Sequence, residues 1–248
     1  MCVVLVTMLA RVQLALVKRN MTMFKKNIKI FSLLVVVILL LAASGYQFFI
    51  YSMHNRLQIE LGSWKGRELS LVHYAGWQKK QPMVDLLSSM AFFNGQALHS
   101  ASRFYRLGAV LSMLSDQSGV LALNHQQSAL ALIRESLSKQ PLWSVAWMDL
   151  AVIKASLGAF DNEFQQAYAK AFANGAAEEY VITGLTDLGF ETWRNLTIDN
   201  RNRFLKVLEL AVARDRQRTI KTAESYQRGY IICFLIPKQK GLKKYCKS

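Results

Sequence analysis

Residues 141–164 have the sequence PLWSVAWMDLAVIKASLGAFDNEF, and this stretch decides the predicted fold. Pro141 predicts the start of a helix, and residues 142–157 are apolar on almost every side. Gly158 predicts the end of that helix, and Asp161 is a good N-cap for the next one. Because a helix with so little polar surface is usually covered on both sides, the segment predicts the middle of a helical core.

Helix signals of the same kind continue on both sides of this segment. Pro82 predicts the first turn of a short helix, Asn94-Gly95 predicts its end, and the last helix is predicted over 218–228. Apolar residues recur three and four positions apart, which predicts one buried face for each helix. The predicted buried positions are Phe104, Leu107, Leu111, Leu114, Leu123, Leu130, Ile133, Leu137, Phe164, Ala167, Tyr168, Ala171, Phe172, Ile182, Leu185, Leu188, Phe204, Val207, Leu208, Ala211 and Val212. The predicted fold is therefore all-α, with an antiparallel helical array over residues 82–230.

The formal net charge of +15 is concentrated at the two ends of the chain. Residues 1–29 hold six Lys or Arg and no acid, and residues 214–248 hold ten basic and two acidic side chains. Residues 55–213 hold fifteen basic and fourteen acidic side chains, so the body of the chain is close to neutral. The basic character therefore describes the two ends rather than the helical body.

A membrane anchor is predicted over residues 30–53, which contain no formally charged side chain. The run IFSLLVVVILLLAASGYQFFIY within it has 22 residues, which as a helix span about 33 Å and can cross a hydrocarbon core of roughly 30 Å. Lys25, Lys26 and Lys29 precede the run, whereas Arg56 is nearly alone after it. The positive-inside rule then predicts a cytoplasmic segment 1–29 and a periplasmic C-terminal part. Because the C-terminal part would face away from the cytoplasm, no nucleic acid is expected as a partner.

Two further expectations concern the N-terminal part. A cleaved signal peptide is the alternative to the anchor, but the apolar run continues through Ile50, which favours an uncleaved helix. Arg11 interrupts the first apolar stretch, and we expect translation to begin at Met21 or Met23. Residues 54–81 are predicted to form a juxtamembrane stalk.

The predicted helical array resembles a tetratricopeptide repeat. Trp147, Leu150, Gly158 and Phe160 match the spacing of that repeat, and Pro141 lies where the preceding repeat would end. This resemblance implies pairs of antiparallel helices that stack into a groove.

A longer resemblance covers about residues 135–215. The stretches QPLWSVAWMDLAVIKASLGAFDNEF and ANGAAEEYVITGLTDLGFETWRNL are similar to the VpsP-type family of bacterial exopolysaccharide-biosynthesis proteins. The resemblance implies one membrane helix in the bacterial inner membrane, followed by a tetratricopeptide-like domain. It also implies a role in making or exporting a cell-surface polysaccharide, with no catalytic residue to transfer.

The candidate binding surface lies on the first helix of the quoted stretch. Its groove-lining ridge would be apolar, and such a ridge either holds an apolar partner or is covered by another helix of the same chain, which we expect here. Its two polar side chains are expected to be hydrogen-bonded structural groups, with partner contact as the alternative. The candidate partner-binding residues are Val145, Met148, Asp149, Val152, Lys154 and Ala155.

The C-terminal tail, residues 231–248, has two candidate features. Its lysines predict either a solvated terminus or a contact with anionic lipid or acidic polysaccharide; they are Lys238, Lys240, Lys243, Lys244 and Lys247. Cys233 and Cys246 are either free thiols or a disulfide whose loop would contribute about 3 kcal/mol.

No reaction chemistry is predicted from the sequence. The four histidines are dispersed, so no metal, cofactor or catalytic site is expected. We therefore predict a membrane-anchored periplasmic scaffold that binds other polysaccharide-synthesis or export proteins. The alternatives are an adaptor of another envelope assembly and a glycan-processing enzyme that uses Asp149 or Glu163, for which no second carboxylate is evident.

Overall fold

The computed structural model describes residues 2–64, 71–115, 119–235 and 245–247, and these residues form an all-α fold as predicted. No strand occurs among them. The helices are α1 (Cys2–Trp64), α2 (Leu71–Met90), α3 (Gly95–Leu114), α4 (Gly119–Lys139), α5 (Ser144–Ser156), α6 (Asn162–Gly175), α7 (Glu179–Thr192), α8 (Ile198–Arg214), α9 (Arg216–Ser225) and α10 (Gly229–Leu235). Short 3-10 turns cover Trp193–Asn195 and Tyr245–Lys247.

The first of two compact units, Met1–Ser52, consists of the N-terminal part of α1. Within α1, Phe31–Ser63 is long and apolar enough to cross a membrane, with a mean hydropathy of 2.4. Its side chains from position 31 to position 45 are exposed. The helix is thus consistent with the predicted single-pass anchor near the N-terminus, although a signal sequence has the same length and composition.

The second unit, Met53–Ser248, includes the residues predicted as a stalk, so that prediction is wrong. Leu57 on α1 and Trp77 on α2 are fully buried in it. The Trp77 ring stacks on Phe104 at 4.7 Å and donates its indole N–H to the Phe104 carbonyl oxygen at 2.8 Å. The weak amphipathicity of this stretch therefore did not reveal that α2 packs against α3.

Two helix starts differ from the predictions. Pro82 lies inside α2 and not in its first turn. Asn94 does not end a helix but caps the next one, because its Oδ1 atom accepts a hydrogen bond of 3.0 Å from the Ala97 N–H. Asparagine serves both as an N-cap and as a residue that follows a helix, so the dipeptide alone was ambiguous.

Two further boundaries differ. α5 begins at Ser144 and not at Pro141. Pro141 lies in the turn before α5, and the Pro141 carbonyl oxygen accepts a hydrogen bond of 2.7 Å from the Trp147 indole N–H. The helix predicted over 218–228 corresponds to α9, which ends at Ser225, and it is not the last one, because α10 follows from Gly229. Gln227, just after α9, has a φ of 55°, a left-handed conformation that ends a helix.

Most predicted core positions are buried, and the centre of the array is α5. This helix packs against α4, α6 and α7, as predicted for the middle of a helical core, whereas Val145, Val152 and Ala155 of the predicted ridge are only half-buried. Gly158, at φ 67°, ends the turn after α5, and Asp161 caps α6 by accepting from the Phe164 N–H at 3.1 Å. Leu114 and Leu123, near helix ends, are exposed instead. The tetratricopeptide-like order of the helices stays a prediction.

α7 and α8 approach each other closely at Gly189. A Cβ atom at this position would lie 2.1 Å from Cδ2 of Phe204. Phe204 is fully buried and packs on the Phe190 ring at 5.1 Å, so its ring has little room to move. Glycine is therefore required here for close packing rather than for its backbone freedom.

Candidate functional site

A buried ion cluster surrounds Asp149, which is 1% exposed on α5. Its Oδ2 atom accepts a hydrogen bond of 2.6 Å from Nε2 of His99, and its Oδ1 atom accepts one of 2.8 Å from Nη1 of Arg106. The Nε atom of Arg103 lies 3.9 Å from Oδ2. All three partners project from α3, so the cluster joins α3 to α5.

The cluster carries more positive than negative charge. Burial alone raises the pKa of Asp149, but the Arg106 charge and the hydrogen bond from His99 outweigh burial and place that pKa below its ordinary value. The charge of Asp149 in turn raises the pKa of Arg106. One carboxylate thus faces two guanidinium groups, which leaves a net charge of at least +1.

Two aromatic side chains flank this cluster. The Trp143 ring contacts the His99 ring edge-on at 4.5 Å, just before α5 begins. The guanidinium carbon of Arg103 lies 5.7 Å from the ring centre of Tyr180, at the start of α7. Cation–π contact with an aromatic ring contributes about 0.5–1 kcal/mol at an exposed site. The contact with Tyr180 holds Arg103 beside the cluster and links α3 to α7.

The first cavity next to the cluster has a volume of about 560 Å³. Arg106 contributes from α3, and Met148, Asp149 and Val152 contribute from α5. The opposite wall is formed by α7, and Arg218 reaches it from α9. This cavity, which we call the α5–α7 cavity, has a mixed polar and apolar lining.

Three carboxyl groups on α7 line the α5–α7 cavity, and two of them, Asp187 and Glu191, have a raised pKa. Burial raises the pKa of Asp187, and the charge of Arg218 and a hydrogen bond with Thr222 offset only part of this rise. Burial also raises the pKa of Glu191, and the nearby Asp187 charge raises it further. Both groups lie on one helix, four residues apart, rather than across a cleft from each other.

The second cavity has a volume of about 440 Å³ and lies on the other side of Tyr180, which lines both. We call it the α3 cavity. Its lining contains two aromatic rings, two amides, a guanidinium group and two imidazoles. The residues are His54, Gln58, Gln96, His99, Arg103, Trp143, Val145 and Tyr180.

Four of the six predicted binding residues line a cavity. Met148, Asp149 and Val152 line the α5–α7 cavity, and Val145 lines the α3 cavity. Ala155 is half-buried and lines neither.

Lys154, the sixth, belongs to a separate ion network. Its side chain is 5% exposed, and its Nζ atom contacts Asp161 at 2.5 Å and Glu163 at 3.0 Å. Arg134 holds Glu163 with two hydrogen bonds, of 2.8 and 2.6 Å. Both polar exceptions in α5 therefore have structural partners, and Glu163 lines neither cavity.

The carboxyl groups considered for an enzyme are committed to ion pairs. Asp149 has a lowered pKa, and the hydrogen bond from Arg134 lowers the pKa of Glu163. A general acid needs a raised pKa, so neither group is suited to that role. Among the described residues, no group of three His, Cys, Asp or Glu side chains is arranged to hold a metal ion.

The sequence prediction missed His99, Arg103 and Arg106. These residues are spaced i, i+4 and i+7, so they share one face of α3. That spacing was a usable signal, because three basic or imidazole side chains on a buried helix face require an acidic partner.

The basic tail falls mostly outside the described residues. This applies to Lys238, Lys240, Lys243 and Lys244, and the side chain of Lys247 is not described either. Cys233 and Cys246 form a disulfide, which decides between the two alternatives left by the sequence.

Over the residues that the structure describes, the fold and the site define an all-α protein with one candidate membrane span and a helical unit that carries two adjacent cavities. Comparisons with protein-family models, with curated proteins and with solved structures found no match to this chain.

Proposed function

We propose that the protein is a membrane-anchored periplasmic scaffold in bacterial exopolysaccharide biosynthesis or export. It acts by binding components of that machinery and performs no chemistry itself. The observation that carries the proposal is the pair of adjacent cavities that share Tyr180. The most buried carboxylate in their lining, that of Asp149, is neutralised by Arg106 and His99. Such a site offers surface for binding, and the two carboxyl groups that the sequence offered for a glycosidase, Asp149 and Glu163, are held in ion pairs instead.

The polysaccharide assignment is supported by the sequence resemblance over about residues 135–215. The periplasmic placement is supported by Lys25, Lys26 and Lys29 before the anchor. The Cys233–Cys246 disulfide also supports it, because disulfides persist on the oxidising side of the bacterial inner membrane.

The test begins with deletion of the gene in the native bacterium, followed by measurement of secreted polysaccharide and of sugar transfer by isolated membranes. We expect secretion to fall while sugar transfer per membrane stays unchanged. Unchanged secretion would point to the alternative, an adaptor of another envelope assembly. Glycan cleavage or transfer by the purified chain would show that it is an enzyme.

Complementation then tests the cavity itself. Val152 is half-buried in the α5–α7 cavity, whereas Val120 on α4 is 65% exposed. Val120→Glu should restore secretion, and Val152→Glu should fail to restore it because the added charge blocks the partner. Immunoblots must show equal amounts of both variants in the membrane. Full restoration by Val152→Glu would contradict a role for this cavity.

A further inference from the structure

The α3 cavity has an unbalanced charge. None of its eight lining residues is Asp or Glu, whereas Arg103 contributes a guanidinium group, which is also the source of the excess positive charge of the ion cluster behind His99. A concave surface lined by one sign of charge attracts ligands of the opposite sign. The cavity is therefore suited to an anion.

Arg103 is the cation best placed to bind it. His99 and Arg106 provide the short contacts to Asp149, at 2.6 and 2.8 Å, while Arg103 stays 3.9 Å away. Its side chain is 30% exposed and is held over the Tyr180 ring. A guanidinium group has five N–H donors in a fork that matches a carboxylate, so Arg103 retains donors for a ligand.

The rest of the lining is suited to a hydroxylated ring. Gln58 and Gln96 provide amides, and Trp143 and Tyr180 provide aromatic surface. Polar groups interleaved with aromatic rings allow a ligand to be held by hydrogen bonds and by stacking at once.

We infer that the α3 cavity binds an acidic sugar, a hexuronate unit whose carboxylate is held by Arg103. The negative charge of the ligand follows from the lining, and the choice of a hexuronate as the anion rests on the proposed function.

The experiment uses the full chain in detergent micelles and fluorescently labelled digalacturonate, with labelled maltose as the neutral control. Fluorescence anisotropy should show binding of digalacturonate and at least tenfold weaker binding of maltose. Arg103→Gln should weaken digalacturonate binding by about tenfold or more, because a charge-assisted bidentate contact is lost. Arg216→Gln, at an exposed arginine that lines neither cavity, makes the same charge change and should leave binding unaltered.

Three results would overturn the inference: no binding of digalacturonate, equal binding by Arg103→Gln, or equally tight binding of a labelled peptide with a free C-terminal carboxylate. The last result would identify a peptide ligand rather than a sugar. These outcomes are separate from the deletion test, since secretion can depend on the gene even if digalacturonate does not bind. Conversely, binding without any secretion defect would refute only the proposed function.

Discussion

Replacement of Asp149 by Asn tests how strongly the ion cluster joins α3 to α5. The substitution removes the one carboxylate that His99 and Arg106 contact, at 2.6 and 2.8 Å. Removal of one partner from a buried ion pair costs about 3–5 kcal/mol, because the other charge stays buried without compensation. The Asn oxygen can still accept from Arg106, while its amide group opposes the His99 N–H, so we expect a loss of about 3 kcal/mol.

Urea unfolding of the full chain in detergent micelles measures this loss. Tryptophan fluorescence is a suitable signal, because Trp143 packs directly on His99. Glu135→Gln, at an exposed position on α4, is the control and should change stability by about 0.5 kcal/mol or less. A loss below about 1 kcal/mol for Asp149→Asn would refute the view that the cluster stabilises the fold.

A double-mutant cycle separates the pair from its surroundings. Asp149→Leu leaves the half-buried Arg106 without its carboxylate, and Arg106→Leu leaves the buried Asp149 without its closest guanidinium group. The double variant should therefore lose less than the sum of the two single losses, by about 1 kcal/mol or more. Additive losses would show that the two side chains do not act as a pair.

Three further predictions use the same unfolding assay. Gly189→Ala should lower the free energy of unfolding by about 1–2 kcal/mol, because overpacking against the Phe204 ring outweighs the gain in helix propensity. Gly76→Ala, where no atom lies within 4 Å of the new Cβ, should raise it by about 0.5–1 kcal/mol. The reverse order would contradict the close packing at Gly189. Because the pKa of Asp187 is raised in the folded state, its contribution to the free energy of unfolding is favourable at low pH and is lost as the pH rises through that pKa. Asp187→Asn should therefore raise the urea midpoint at pH 7 and leave it nearly unchanged near about pH 3, and a lower midpoint at pH 7 would count against the raised pKa. Replacing both Cys233 and Cys246 by Ser should lower the free energy of unfolding by about 3 kcal/mol. In the native protein, alkylation of membranes followed by peptide mapping should find neither cysteine modified. Alkylated cysteines would indicate a cytosolic tail.

The sequence predicted best those features that depend on neighbouring residues. α6 was predicted with its cap at Asp161 and its buried face, because an N-cap and a 3.6-residue period are local signals. The turn at Gly158 was predicted for the same reason. Pro82 and Asn94 were placed wrongly, because each residue type fits two positions relative to a helix and only packing decides between them.

The site could be predicted only in part. Asp149 was recognised as a polar exception in an apolar helix, but its partners lie 43 and 50 residues earlier in the chain. Local periodicity contains no information about such pairings, which depend on how α3 packs against α5. The stalk was mispredicted for a related reason, since the burial of Leu57 and Trp77 depends on helices further along the chain.

The arrangement of the cluster determines which substitution can test binding. Asp149 contributes both to stability, through Arg106, and to the lining of the α5–α7 cavity, so loss of function in an Asp149 variant would not distinguish a missing contact from a weakened fold. Arg103 is different, because its contact with Asp149 is longer than a hydrogen bond and its side chain is partly exposed. Arg103→Gln should therefore lower the free energy of unfolding by less than about 1 kcal/mol while it removes the cation of the α3 cavity. If Arg103→Gln were as destabilising as Asp149→Asn, Arg103 would be part of the structural cluster and could not be the group that holds a ligand.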